Sequence, residues 1–370
     1  MVPSPDHRVS TQQNIDSEAV AMKKSPRVLV LVDWMPQDDD SLLDALRKSG
    51  LDCDCMGVNY NSSKWSPVNK MNKLFSHWPM CLWGSMKAFG RRHDYDYVIA
   101  RQQIMGMFLG LLKLITFSNT PNVFILTAMI IERNNPVLEK LRRWFIAISW
   151  KRVNKIGFMS NAYKSLIRER FKLSEHQLVH LKYPIVTLGK NHSGFLPDGY
   201  LYSVGLSYRD FPTLMAAAKK CAKKFVLATT DAFLEGLTIP DNVTVHRNTF
   251  GNAAEELMKR SAAVIFPLEK ISSPAAEGTL LNAMCYGKPV IVTRTITTQE
   301  YIEDGKNGFL VSQKDPDAIV DAINVIFSHP DQAEEIGRRA RQTALENHSM
   351  DLYAKKIAHI IQSSLQETGT

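Results

Sequence analysis

Along most of the chain, short unbroken apolar runs alternate with stretches whose apolar residues repeat at helical spacing. Arg27-Val28-Leu29-Val30-Leu31-Val32 is the first such run, and its continuity suits a strand covered on both faces of a parallel sheet. Asp38-Asp39-Asp40-Ser41 then places acids and a capping side chain ahead of Leu42, Leu43 and Leu46, the signature of a helix start. A second run, Leu51 to Val58, completes a strand, helix, strand unit. The alternation predicts further strands over 96–100, 122–127, 155–160 and 178–183, with helices over 105–114, 138–152 and 161–171.

A Gly- and Pro-bearing stretch, 186–199, reads as a linker. Beyond it the alternation resumes. Strands are expected over 200–205, 225–230, 243–247 and 262–268, and helices over 213–221, 253–260, 315–327, 332–347 and 351–365. This predicts two doubly wound α/β domains, 25–185 and 200–345, with a polar tail at 1–24 and a closing helix and tail at 346–370. Ligands of such sheets bind outside the carboxyl ends of the strands.

Composition narrows the class. The 370 residues suffice for two cores, and 45% hydrophobic with 22% charged content is that of a globular protein. The longest apolar stretch, 104–117, is broken by Lys113 and too short for a membrane span. The first 24 residues are polar without the apolar centre of a signal peptide, so they read as a disordered tail on a cytoplasmic protein. Five cysteines make no zinc-like pair of pairs; Cys53-Asp54-Cys55 fits a half-buried strand.

Charge is uneven. Residues 1–200 hold 27 Lys/Arg against 17 Asp/Glu, whereas 201–370 hold 18 against 20. Between Lys64 and Lys182 the balance is 20 to 6. Within that span two segments interleave cations with tryptophan: 65–92, with Trp65, Trp78, Trp83, Lys87, Arg91 and Arg92, and 138–152, with Arg142, Arg143, Trp144 and Trp150. Either an interfacial helix at an anionic membrane or a buried helix with a solvated edge accounts for them. No RNA-recognition sheet motif accompanies the charge, and no nucleic-acid partner is expected.

The stretch with the most chemistry is Ser272 to Thr293. A polar loop reaches Glu277, Gly278 and Thr279, a short helix follows, and Gly287-Lys288-Pro289 turns into Val290-Ile291. A loop that enters a helix at Gly-Thr presents unpaired backbone N–H groups and the positive helix end, which favours a phosphate. Together with Glu300-Tyr301-Ile302 and Asp304-Gly305-Lys306-Asn307-Gly308-Phe309-Leu310-Val311, this stretch resembles the C-terminal signature of GT-B-fold glycosyltransferases, particularly the retaining family four (glycosyl transferases group 1). The resemblance covers residues 200–345 well and 27–185 loosely.

The resemblance implies two Rossmann-like domains facing across a cleft, with a last helix crossing back to the first. It implies a hexosyltransferase, retaining as is the family's norm, that moves a hexose from a nucleotide sugar to a lipid-linked or polysaccharide precursor without a metal cofactor. Donor-binding residues would be Gly205, Arg209, Lys270, Gly278, Thr279, Leu280 and Asn282, with Thr127 and Ser160 on the acceptor side. Family members carry two glutamates separated by seven residues; here those positions are Pro274 and Asn282. Asn282 can still bond a ribose hydroxyl, and Glu277 is the candidate catalytic carboxylate. Other departures are Trp34-Met35 where a glycine pair is common, and no histidine after the 122–127 strand, where Glu132 or Thr127 stands nearby. A same-fold epimerase and a non-catalytic scaffold are the alternatives. The expected place is the cytoplasmic face of a membrane.

Overall fold

The computed structural model describes residues 25–33, 41–58, 77–130, 135–185, 193–269 and 274–368. The tail at 1–24, the Trp34 to Asp40 loop, residues 65–76 of the first aromatic-basic segment, residues 186–192 of the linker, Glu132 and Lys270 lie outside the described residues.

The first domain contains β1 (Arg27–Val32), α1 (Ser41–Lys48), β2 (Asp52–Gly57), α2 (Trp78–Gly90), β3 (Tyr97–Ala100), α3 (Gln103–Ile115), β4 (Asn122–Ile125), α4 (Pro136–Trp150), β5 (Lys155–Phe158), α5 (Asn161–Phe171) and β6 (Leu178–His180). The second contains β7 (Tyr200–Val204), α6 (Phe211–Lys219), β8 (Phe225–Thr229), β9 (Val243–Arg247), α7 (Asn252–Lys259), β10 (Ser261–Phe266), α8 (Glu277–Cys285), β11 (Val290–Thr293), β12 (Phe309–Val311), α9 (Pro316–Ser328) and α10 (Pro330–Asn347). A final helix, α11 (Met350–Thr368), follows.

Each domain is built on a six-stranded parallel sheet, ordered β2-β1-β3-β4-β5-β6 and β12-β11-β10-β7-β8-β9. The continuous apolar runs are therefore central strands, as their lack of alternation predicts: Val28 to Val32 and Ala262 to Phe266 are almost wholly buried. Alternate residues feed opposite cores. Leu29 and Leu31 join the layer under α2, α3 and α4, while Val28, Val30 and Val32 join the layer under α1.

The last helix completes that second layer. Tyr353, Ala354, Ile357, Ala358 and Ile361 of α11 pack with Leu42, Leu46 and Val28 of the first domain, so the chain ends on the domain where it began. Lys113, which interrupts the apolar pattern of α3, is buried rather than exposed; its ammonium donates to Asn154 Oδ1 at 2.8 Å. Burial pushes its pKa down to about 8.

Both sheets reverse their strand order at an internal boundary, β1/β3 in the first and β7/β10 in the second. At the second boundary an isolated antiparallel bridge joins Arg209, just past β7, to Leu268, just past β10. The site is built around that bridge.

Candidate donor site between two domains

A cavity of about 580 Å³ opens over the carboxyl ends of β7 and β10. Gly205, Arg209, Glu277, Gly278, Thr279 and Asn282 all line it, and Met129, Met159 and Tyr183 close it from the first domain's side. Sequence reasoning placed the first six together; the other three lack any motif of their own.

Gly205 and Arg209 form a unit. Gly205 has φ +148°, and a Cβ there would strike the Arg209 guanidinium, so glycine is required to let the arginine fold back over the strand end. The guanidinium donates through Nε to Val204 O at 2.9 Å, through one terminal nitrogen to Ser207 O at 2.9 Å, and through the other to Thr279 Oγ1 at 3.4 Å. It also lies over the Phe266 ring at 5.8 Å. Only 4% of Arg209 is exposed. Burial lowers its pKa to about 10, a shift that Glu277 opposes, and the group remains cationic at neutral pH.

The second contributor is the start of α8. Ala276, its N-cap, sits at φ 76°, a left-handed conformation that costs on the order of 1–3 kcal/mol in a non-glycine residue. This turn aims the first helical N–H groups at the cavity. Thr279 Oγ1 donates to Ala276 O at 3.0 Å and accepts from Arg209, tying the arginine to the helix end. Gly278 lies against Tyr183, whose ring carbon would be 3.3 Å from a Cβ there. The N–H groups of Gly278 and Thr279, the dipole of α8 and Arg209 thus direct positive potential to one spot.

Glu277 lines the cavity yet is only 5% exposed. Its carboxylate accepts from the Ala275 N–H at 3.0 Å, and the buried Thr297 hydroxyl bonds it as well. Burial drives its pKa upward against those hydrogen bonds and against Arg209. Asn282, one turn further along α8, is half-buried and faces the cavity.

Three other expected residues sit elsewhere or do different work. Leu280 is wholly buried in the core beneath the site, with its N–H bonded to Ala276 O; it points away because successive helical residues turn by about 100°. Ser160 is also wholly buried. It caps α5, accepting from the Tyr163 N–H at 3.1 Å, and donates to Glu300 Oε1 at 2.7 Å. Thr127 is half-buried and meets the Tyr353 hydroxyl of α11. Asp231, just past the carboxyl end of β8, is paired with Arg247.

Ser160 thereby belongs to a junction that fixes the two domains around the cavity. Glu300 also accepts from the Asn161 N–H at 3.0 Å and the Ala162 N–H at 3.0 Å, so a carboxylate of the second domain caps a helix of the first. Tyr301 donates to Met159 O at 3.1 Å, and His348, stacked on Tyr301, lies 2.9 Å from Tyr183 O through Nδ1. Among the described residues no group of three or more His, Cys, Asp or Glu side chains is placed to hold a metal ion, and no helix is long and apolar enough to cross a membrane.

Two Rossmann-like domains, a cleft with phosphate-directed groups on the second, and a helix returning to the first define the GT-B architecture. Solved structures share it across nearly the whole chain. Anabaena HepE in complex with UDP and glucose aligns with TM-score 0.65 at 13% identity, covering 90% of this chain and 99% of that one. Sucrose-phosphate synthase from Thermosynechococcus elongatus aligns with TM-score 0.68 at 14% identity, covering 92% and 100%. Residues 228–343 match the family described as Glycosyl transferases group 1. The D-rhamnosyltransferase WbpZ of Pseudomonas aeruginosa is 38% identical over 85 residues, which is 23% of this chain and 22% of that protein. The chain thus has the GT-B fold, and its second domain is similar to the glycosyl transferases group 1.

Proposed function

We propose that the protein transfers a hexose from a nucleoside-diphosphate sugar to a lipid-linked or polysaccharide precursor at a membrane surface. The observation that carries this reading is the convergence of Arg209, the α8 N-terminus and Asn282 on one cavity at the strand-order reversal of the second sheet. The bond between the sugar's anomeric carbon and the diphosphate breaks, and the acceptor hydroxyl oxygen takes its place. The acceptor's proton passes to the departing diphosphate.

Charge develops on that diphosphate, and fixed donors aimed at it stabilise the transition state without reorganising. Arg209 and the Gly278 and Thr279 N–H groups do this work, so turnover is expected to survive chelation of divalent ions. Glu277, with a carboxyl shifted toward its neutral form, holds a hydroxyl of the transferred sugar. Retention of the anomeric configuration is the outcome expected of relatives in family four, and the anomer of the product tests it.

The membrane part rests on the outer face of the first domain. Trp78 of α2 stacks on Phe145 of α4 with centroids 6.3 Å apart, and beside this seam Trp83 is 57% and Trp144 64% exposed. Leu138 and Leu141 are exposed with them, and the Lys87 ammonium lies 5.1 Å from the Trp83 ring centroid. Apolar patches fringed by cations suit the headgroup region of an anionic leaflet. A cytoplasmic location at that leaflet follows from the same reading, since its cations and its donor nucleotide would both be met there.

The test is release of free nucleoside diphosphate from UDP-, GDP- and ADP-sugars, with and without lipid extract. Release that depends on the extract supports transfer to a lipid acceptor. Binding of a nucleotide sugar without any release would contradict transfer and point to a non-catalytic member, a reading the tightly bonded state of Glu277 favours.

A further inference from the structure

Four threonines are buried at the end of β11 and in the turn beyond it. Thr293, Thr295, Thr297 and Thr298 are all but hidden from solvent, and buried hydroxyls need partners. Each hydroxyl has one proton to give and two lone pairs to receive, which fixes where the protons go. The Thr298 hydroxyl donates to Thr293 O at 2.8 Å and accepts from the Thr295 N–H at 2.8 Å. Thr295 Oγ1 accepts from the N–H groups of Thr297 at 3.2 Å and of Thr298 at 3.0 Å, so both of its lone pairs are filled. The Thr297 hydroxyl, 3.1 Å from Thr295 Oγ1, therefore cannot donate there. Its proton goes to the Glu277 carboxylate, an anionic and thus stronger acceptor.

The carboxylate is held by Thr297, by the Ala275 N–H at 3.0 Å and by its own backbone N–H. Arg209 favours its ionised form, and the Tyr183 and Tyr301 phenols face it as well. Of the groups bonded to it, Thr297 supplies the side-chain donor. That residue is pinned from the other direction too. Its carbonyl accepts from the Glu300 N–H at 3.0 Å and that of Thr298 accepts from the Tyr301 N–H at 3.1 Å, and Glu300 and Tyr301 are the residues that clamp the first domain. A short bonded turn thus runs from the domain junction to the carboxylate in the cavity.

We propose that Thr297 is a positioning residue for the transfer reaction, its hydroxyl fixing the direction in which the Glu277 carboxylate meets the transferred sugar. Burial favours the neutral carboxyl and the Thr297 bond opposes it. Removing the hydroxyl therefore moves the titration of Glu277 to higher pH. The direction is the same whether the reaction uses the ionised or the neutral carboxyl.

This inference rests on the transfer reading above, and the experiment has an arm for each. Nucleoside diphosphate release is followed against pH for whichever of the UDP-, GDP- and ADP-sugars the full chain turns over with lipid extract. Glu277→Gln identifies the limb of the profile that belongs to Glu277 by abolishing it. Thr297→Val should move that limb upward by about one pH unit, the equivalent of one hydrogen bond to a charged group, and lower kcat more than it raises KM. Thr297→Ser keeps the hydroxyl and should return the limb to its wild-type position. NMR titration of the side-chain carboxyl signal that Glu277→Gln deletes should show the same displacement without substrate, and Thr297→Ala takes the place of valine if valine disturbs the fold. A carboxyl signal that titrates as in wild type in the folded variant overturns the positioning role. A displaced signal beside an unmoved turnover profile overturns the part given to Glu277 in the reaction. Absence of release from every nucleotide sugar overturns the transfer reading itself.

Discussion

The two domains share a scaffold and differ in what they do with it. Each is a six-stranded parallel sheet with one strand-order reversal. In the second domain the reversal is filled by bonded groups: Gly205 folds Arg209 over the strand end, and α8 starts against it. In the first domain the helices that cover one sheet face turn large apolar side chains outward, Trp83 and Trp144 among them. The second domain gathers fixed donors in a cleft, and the first presents an apolar outer face. Asymmetric use of a duplicated architecture teaches that the fold supplies places, and side chains decide which are occupied.

The comparison breaks most sharply at Arg209. Arg209→Ala removes a buried cation from the second domain and should weaken nucleoside-diphosphate binding by about 3 kcal/mol, the upper range for a charged hydrogen bond. Titration calorimetry reads it, and vesicle binding should be unaffected. If the affinity is unchanged, the arginine only braces the loop.

His348 tests the junction through pH. Burial is the main reason its pKa falls from the ordinary 6.5 to about 4, with Lys182 and His180 adding to the fall and the Tyr183 carbonyl opposing it. Between those values the unfolded chain binds a proton that the folded protein refuses, so stability should drop as pH falls from 6.5 toward 4. The loss at the acid end is about 3 kcal/mol. His348→Gln should flatten that part of the stability profile measured by denaturant titration; an unchanged slope would assign the acid sensitivity to other groups.

Glu300→Ala removes the carboxylate that caps α5 from the opposite domain. A helix cap contributes about 1–2 kcal/mol, and the loss should appear as a lowered melting temperature with looser domain packing in small-angle scattering. A melting temperature equal to wild type would show that water replaces the cap without cost. The smallest expected effect is on the first domain's outer face. Trp83→Ser with Trp144→Ser should reduce retention on anionic vesicles severalfold while melting temperature and nucleotide affinity stay unchanged; full retention would move the contact to another surface.

The strands were legible because a parallel sheet buries both faces, and runs such as Val28 to Val32 have no other stable home. The second domain's site was legible in part because its residues follow one another in a fixed order after β7 and at α8. Tyr183, Met129 and Met159 were not, because they reach the cavity from another domain and no local pattern marks that. Ser160 and Leu280 show the converse limit. A capping serine reads the same whether its hydroxyl faces a cleft or meets Glu300, and Leu280 shares a motif with Thr279 while turning into the core.

The central claim is that the second domain's cavity binds a nucleoside diphosphate through Arg209 and the start of α8. Isothermal titration of wild type and Arg209→Ala with the preferred nucleoside diphosphate and its monophosphate tests it most directly. The account predicts that the wild type favours the diphosphate and that the variant loses most of that preference while still binding the monophosphate weakly. Equal affinity for both nucleotides in the wild type, or an undiminished preference in a folded Arg209→Ala protein, would contradict it.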